Sequence, residues 1–127
     1  MKLVYKKKIL TEDQLFEMAN KSKAKTGLSI NIYLSIKPAN KKEELIRVKV
    51  QNNYADRFDV GDLLSIVIYP NKNFEYFIEH TQKVKITNKD IEEVLKFVKL
   101  NYAVIKEYWD GLLDSEDMSS RLKKVNI

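Results

Sequence analysis

No cysteine occurs in these 127 residues, which removes disulfides, thiolate metal sites and a cysteine nucleophile together. Glycine and proline are scarce, at three and two residues, so the chain lacks the Gly/Pro-rich stretches that mark linkers. One domain over residues 1–127 follows. The basic opening MKLVYKKKIL is not followed by an apolar run of signal-peptide length. The apolar runs elsewhere extend for only a few residues, well short of a membrane span. A soluble, cytoplasmic protein is the expectation. No Gly-rich phosphate loop, G-x-S-x-G elbow or H-E-x-x-H pair is present, which leaves the commonest nucleotide, hydrolase and zinc-protease chemistries without their residues. A carboxylate–x–lysine arrangement on a suitable strand is also missing, which disfavours a metal-dependent nuclease.

What is there describes an ordinary globular chain, 44% hydrophobic and 32% charged, long enough for one core. The net charge of +5 is unevenly spread. Residues 1–55 hold 12 Lys and Arg against 5 Asp and Glu, whereas residues 56–127 hold 11 against 13. A basic half can steer an anionic partner to one side. The plainer reading of such lysines is a solvated, solubilising face.

Hydrophobic periodicity predicts a strand over residues 2–10 with Leu3, Tyr5 and Ile9 on one face. A short helix follows, opened by a Thr11–Gln14 capping box and carrying Leu15, Phe16, Met18 and Ala19. Residues 28–36 alternate cleanly, and residues 46–51 answer them across the turn at Pro38-Ala39-Asn40. These runs make a hairpin. Residues 52–62 form a loop. A second hairpin, Leu63–Tyr69 and Phe74–His80, is apolar on both faces and so reads as central strands covered on each side. Val84–Ile86 offers a further edge strand. Thr87 and Asp90 cap a helix reaching about Asp110, Gly111 ends it, and Asp114 or Ser115 starts a short closing helix. The fold class is α+β: an antiparallel sheet of four to five strands, a short N-terminal helix, a long C-terminal helix and a closing helix.

The predicted solvent face of the first hairpin is polar and basic, with Asn31, Tyr33, Ser35, Lys37, Arg47, Lys49 and Gln51. Together with Lys6, Lys7 and Lys8 it is the candidate surface for a partner or a nucleic acid, since cations neutralise phosphates and an exposed ring can stack on a base. His80 is the single histidine; its neighbour Glu79 points to the opposite strand face, so an edge histidine is the default reading. Asp56, Asp59 and Asp62 lack the spacing of a calcium loop and read as turn formers. Tyr102, Tyr108 and Trp109 lie in the apolar stripe of the long helix, which makes core packing their default. No catalytic residue, metal or cofactor is assigned.

The stretch IRVKVQNNYADRF, followed after the second hairpin by FVKLNYAVIKEYWDG and a short helix, resembles a loose group of small proteins from Bacteroidetes-like bacteria and their phages or mobile elements. The shared features are an R-x-K-x-Q strand and a helix with Asn before Y-W-x-G. The resemblance implies a non-enzymatic accessory protein that binds and inhibits a host protein or ribonucleoprotein complex, similar to anti-CRISPR proteins. The alternative it implies is a toxin–antitoxin endoribonuclease or small RNA-binding protein, using His80 or the basic hairpin.

Overall fold

Alternating β-branched residues make the sheet. In the computed structural model, which describes residues 3–5, 18–37, 45–69, 75–80 and 83–125, the strands are β1 (Leu3–Tyr5), β2 (Met18–Lys21), β3 (Ile32–Ser35), β4 (Ile46–Gln51), β5 (Leu63–Ile68) and β6 (Tyr76–His80). They form one six-stranded sheet in the order β1-β6-β5-β4-β3-β2. The pairs from β2 to β6 are antiparallel; β1 joins β6 in parallel. The helices are α1 (Lys23–Thr26), α2 (Asn88–Leu100), α3 (Tyr102–Trp109) and α4 (Ser115–Arg121). The chain is α+β, with none of these helices long and apolar enough to cross a membrane.

The register explains the core. Leu34 lies opposite Val48, Val48 opposite Ile66, and Ile66 opposite Ile78. Side chains at these positions share one face. They are buried against Val94, Phe97 and Val98 of α2 and Ile105, Tyr108 and Trp109 of α3, with Met118 of α4 closing one end. Truncating a ring such as Phe97 or Trp109 in a core of this kind costs about 3–5 kcal/mol. Trp109 and Tyr108 are core residues, and Tyr102 packs half-buried beside them.

Several sequence expectations change in detail. Met18 and Ala19, expected in the N-terminal helix, lie in β2, because the outer edge of β3 supplies hydrogen-bond partners that local propensity does not weigh. The Thr11–Gln14 capping box and the turn at residues 38–40 fall outside the described residues. Of the run 28–36, only Ile32–Ser35 is strand, although Leu28 and Ile30 remain buried. The long helix is two: Asn101, at φ −111° and ψ 20°, breaks it. Residues 84–86 are not a strand. The Thr87–Asp90 capping box at the start of α2 is present in both directions, and Gly111 adopts φ 77°.

The C-terminal segment is fastened at two points. Asn101 Nδ2 donates to the Lys123 carbonyl at 2.9 Å while its Oδ1 accepts from the Lys123 amide at 2.7 Å. One carboxamide thus pairs with a backbone as a neighbouring strand would. Two residues on, Val125 N donates to the Thr26 carbonyl at 2.9 Å. Gly27 then takes φ 81° to cap α1. A side chain at Gly27 would run into the Val125 carbonyl, so the position needs glycine for both its backbone angle and the close approach.

Candidate functional site

The second face of the sheet carries Tyr33 on β3, Arg47, Lys49 and Gln51 on β4, Ser65 and Val67 on β5, and Glu79 on β6. It is the face read from the sequence as wet and basic. Tyr33 and Gln51 are instead fully buried, as is Asn31. An exposed Tyr33 ring for base stacking is therefore corrected to a buried one. The reason is the loop of residues 52–62, which folds back over this corner of the sheet and sets Phe58 edge-on to Tyr33, with ring centroids 5.5 Å apart.

A set of carboxamides holds that loop. Gln51 Nε2 donates to Asn53 Oδ1 at 2.8 Å, to the Ala55 carbonyl at 3.1 Å and to the Arg57 carbonyl at 3.0 Å. Its Oε1 accepts from the Asp59 amide at 2.9 Å. Asn31 Nδ2 donates to the Asp56 carbonyl at 3.0 Å, and its Oδ1 accepts from the Lys23 amide at 3.2 Å. Asn52 reaches the other way, donating to the Lys83 carbonyl at 2.8 Å and accepting from the Lys85 amide at 2.7 Å. One side chain thus serves the Lys83 carbonyl and the Lys85 amide as a partner strand would.

The three loop aspartates do not converge on one point. Asp56 pairs with Lys23 at 2.9 Å. Asp59 Oδ1 accepts from the Gly61 amide at 3.1 Å. Asp62 takes Lys85 at 2.6 Å and Asn53 Nδ2 at 2.8 Å. Burial works to raise the Asp62 pKa, but the bonds from Lys85, Asn53 and Asn52 outweigh it and hold the carboxyl below its ordinary value. No group of three metal-ligating side chains forms among the described residues. Tyr54 extends the frame to α2, where its hydroxyl donates to Asp90. Burial again opposes the Asp90 charge, and the bonds from Tyr54 and Thr87 prevail, lowering its pKa.

Of the remaining candidates, Arg47 forms a half-buried ion pair with Glu79 across β5, and Lys49 Nζ donates to Ser65 Oγ at 2.9 Å. Both cations are thus engaged on the sheet. Lys37 is exposed, with Nζ 3.6 Å from Asp110 Oδ1 at the end of α3. Lys6, Lys7 and Lys8 fall outside the described residues, as does the side chain of His80, whose backbone ends β6 beside Tyr5.

Asn52 and Asn53 join Asn31 and Gln51 in organising this region, though neither belongs to the predicted hairpin face. The run Gln51-Asn52-Asn53 directly after an alternating strand is the signal that carries them, because side-chain amides favour pairing with local backbone over continuing a ladder. Lys21 is also buried. It has no sequence signal, since its inward direction exists only once residues 18–21 are a strand.

Tyr33 offers a test of the covered face. Burial, and then the nearby Asp59 carboxylate, push its hydroxyl up to about 12. That hydroxyl sits by the Asp59 backbone, yet it forms no well-aligned hydrogen bond among the described residues. A group whose folded pKa is raised stabilises the fold below its unfolded value and loses that contribution as pH rises through the folded one. Alkaline titration of wild type should therefore lose stability between about pH 10 and pH 12. Tyr33→Phe should lack this component and match or exceed wild type at neutral pH, within about 1 kcal/mol. Urea unfolding at stepped pH checks both; a Phe variant with an unchanged alkaline slope contradicts the assignment.

Comparison with protein-family models, curated proteins and solved structures finds no match to this chain.

Proposed function

We propose that this is a non-enzymatic binding protein whose working surface is the outer side of the 52–62 loop and the adjoining approach to α2, and that it acts by occluding a protein component of a host complex. The observation that carries the reading is the loop's internal fixation by Asn31, Gln51, Asn52 and Asn53. A loop held from inside is ordered before it meets a partner, so binding forgoes most of the usual ordering cost. What it displays outward is Tyr54, 47% exposed, Val60, 42% exposed, and the exposed Arg57. Tyrosine and arginine are the residues that most often dominate protein interfaces. Exposed Lys83, Lys85 and Lys89 continue the surface, tied to the loop through Asn52 and the Tyr54–Asp90 bond.

Exposed Asp56 and Asp59 interrupt this patch, a mixture that suits a protein surface better than a phosphate backbone. The proposal thus keeps the class of function expected from the sequence, an accessory inhibitor of the anti-CRISPR kind from a phage or mobile element. It moves the contact from the strands of the first hairpin to the loop they support.

The test is capture from host lysate by wild type and by an Arg57→Glu, Val60→Ser variant, with and without nuclease treatment. Exposed substitutions of this kind usually change stability by under about 0.5 kcal/mol each, so the variant should unfold like wild type. A stoichiometric protein partner that survives nuclease and is lost with the variant is the expected result. Capture that needs intact nucleic acid, or that the variant retains, defeats the proposal.

A further inference from the structure

Lys21 ends an outer strand of the sheet and stands opposite Ile32, so its side chain points to the helix-covered face. It is only 6% exposed. A buried ammonium is unfavourable unless acceptors or a counter-charge surround it. Its polar partner is Ser119 Oγ on α4, and that hydroxyl donates its own proton to the Ser115 carbonyl at 2.7 Å. Ser119 can therefore only accept from Lys21. A protonated Lys21 keeps two further N–H groups, and no carboxylate among the described residues takes them.

Those groups border a cavity of 230 Å³ lined by Lys21, Lys25, Thr26, Ser119, Leu122 and Lys124. Three lysines line it, and no acidic residue is among its described lining residues. Lys25 and Lys124 are exposed at the rim, whereas Lys21 is enclosed. The rim is positioned: Lys124 lies between Lys123, clamped by Asn101, and Val125, bonded to Thr26. The volume is below the roughly 300 Å³ at which pockets for drug-sized ligands begin, so the occupant is small or is the terminal group of something larger.

We propose that this cavity is a phosphate-binding site, with Lys21 at its base and Lys25 and Lys124 closing over the anion. Lysines recognise phosphate as point charges rather than through a planar fork, and three converging on one small space suit a compact dianion better than a single carboxylate. A bound phosphate supplies a counter-charge that no described carboxylate gives Lys21. It also offsets the two effects that lower the Lys21 pKa, burial and the neighbouring Lys25 charge. The site is independent of the loop surface proposed above, because none of Tyr54, Arg57 or Val60 lines it.

The experiment is calorimetric titration of the full chain with inorganic phosphate and, separately, with adenosine 5′-monophosphate. Sodium chloride at matched ionic strength is the control. Saturable binding absent with chloride is expected, accompanied by a rise in unfolding temperature, since a ligand bound only by the native state stabilises it. Lys25→Ala and Lys124→Ala, both at exposed positions, should each weaken binding by about tenfold while leaving the ligand-free unfolding temperature close to wild type. Lys21→Met should abolish binding and, by removing a buried charge that no described carboxylate pairs, raise ligand-free stability. Equal affinity for the two ligands assigns the phosphate group alone; tighter nucleotide binding assigns a phosphomonoester on a larger molecule. Wild type that binds neither, or Lys25→Ala, Lys124→Ala protein that binds as well as wild type, overturns the proposal. Lys21 would then be an inward charge that discourages other strands from adding to β2.

Discussion

Replacing Gln51 with leucine should cost about 3–4 kcal/mol and release the loop over the second face of the sheet. Gln51 is fully buried and satisfies two loop carbonyls, one loop amide and the Asn53 side chain. Leucine fills similar space and favours burial, which offsets part of the loss. It leaves the backbone of residues 55, 57 and 59 facing an apolar group, and unpaired buried polar groups cost more than the added apolar contact returns. The loop then has an escape, swinging out to rehydrate, and so the penalty stays below the sum of its bonds. Urea unfolding gives the magnitude. A second measurement identifies the mechanism: with the cover gone, the Tyr33 hydroxyl should titrate nearer the ordinary tyrosine value than the 12 or so of the closed state. An unchanged Tyr33 titration in a destabilised variant would place the damage elsewhere.

Asn101→Leu should lower stability by about 2–3 kcal/mol and free the segment after α4. Leucine has the better helix propensity, by up to about 0.7 kcal/mol, so local preference alone predicts a small gain and a straighter α2–α3 join. Against this stand three side-chain bonds, to the Phe97 carbonyl at 3.0 Å and to both backbone groups of Lys123. Asn101 is 3% exposed, and because the Phe97 carbonyl keeps the Asn101 backbone amide at 3.1 Å, the loss falls chiefly on the two Lys123 backbone groups. Hydrogen bonding outweighs propensity here. Amide exchange should accelerate at Lys123 and Val125 while the centres of β4 and β5 keep their protection. Uniform acceleration across the sheet would mean that Asn101 acts on global stability rather than as a clamp on one segment.

The sequence disclosed those parts of the fold in which periodicity and packing agree. Ile46, Val48 and Val50 alternate and are buried, and Val94, Phe97, Val98 and Ile105 fall on the helical stripe and fill the core. The Thr87–Asp90 box shows a local hydrogen-bond pattern surviving unaltered into the fold. Readings failed where a tertiary partner outcompeted local preference. Met18 and Ala19 fit a helical stripe and pair with β3 instead. Tyr33 fits a wet strand face until the 52–62 loop folds over it. Arg47 carries the charge expected of it, but Glu79, far away in sequence, had to be brought across β5 before that charge was spoken for. The basic cavity was the least legible feature, because Lys21, Ser119 and Lys124 share no local pattern and meet only through the C-terminal fastening.

The parallel seam between β1 and β6 has a consequence for the order in which this chain folds. Strands β3 to β6 are neighbours in sequence as well as in the sheet, so each pairing closes a modest loop. Leu3 must instead find Ile78 across most of the chain, and a contact so distant in sequence is entropically slow to form. The antiparallel strands can assemble first, with β1 joining as a late arrival. Until it does, the outer edge of β6 is a row of unpaired backbone groups open to a strand from any other molecule. A nascent or partly unfolded chain is thus most exposed to mispairing at Ile78–His80, an edge that the finished sheet covers with its own first strand.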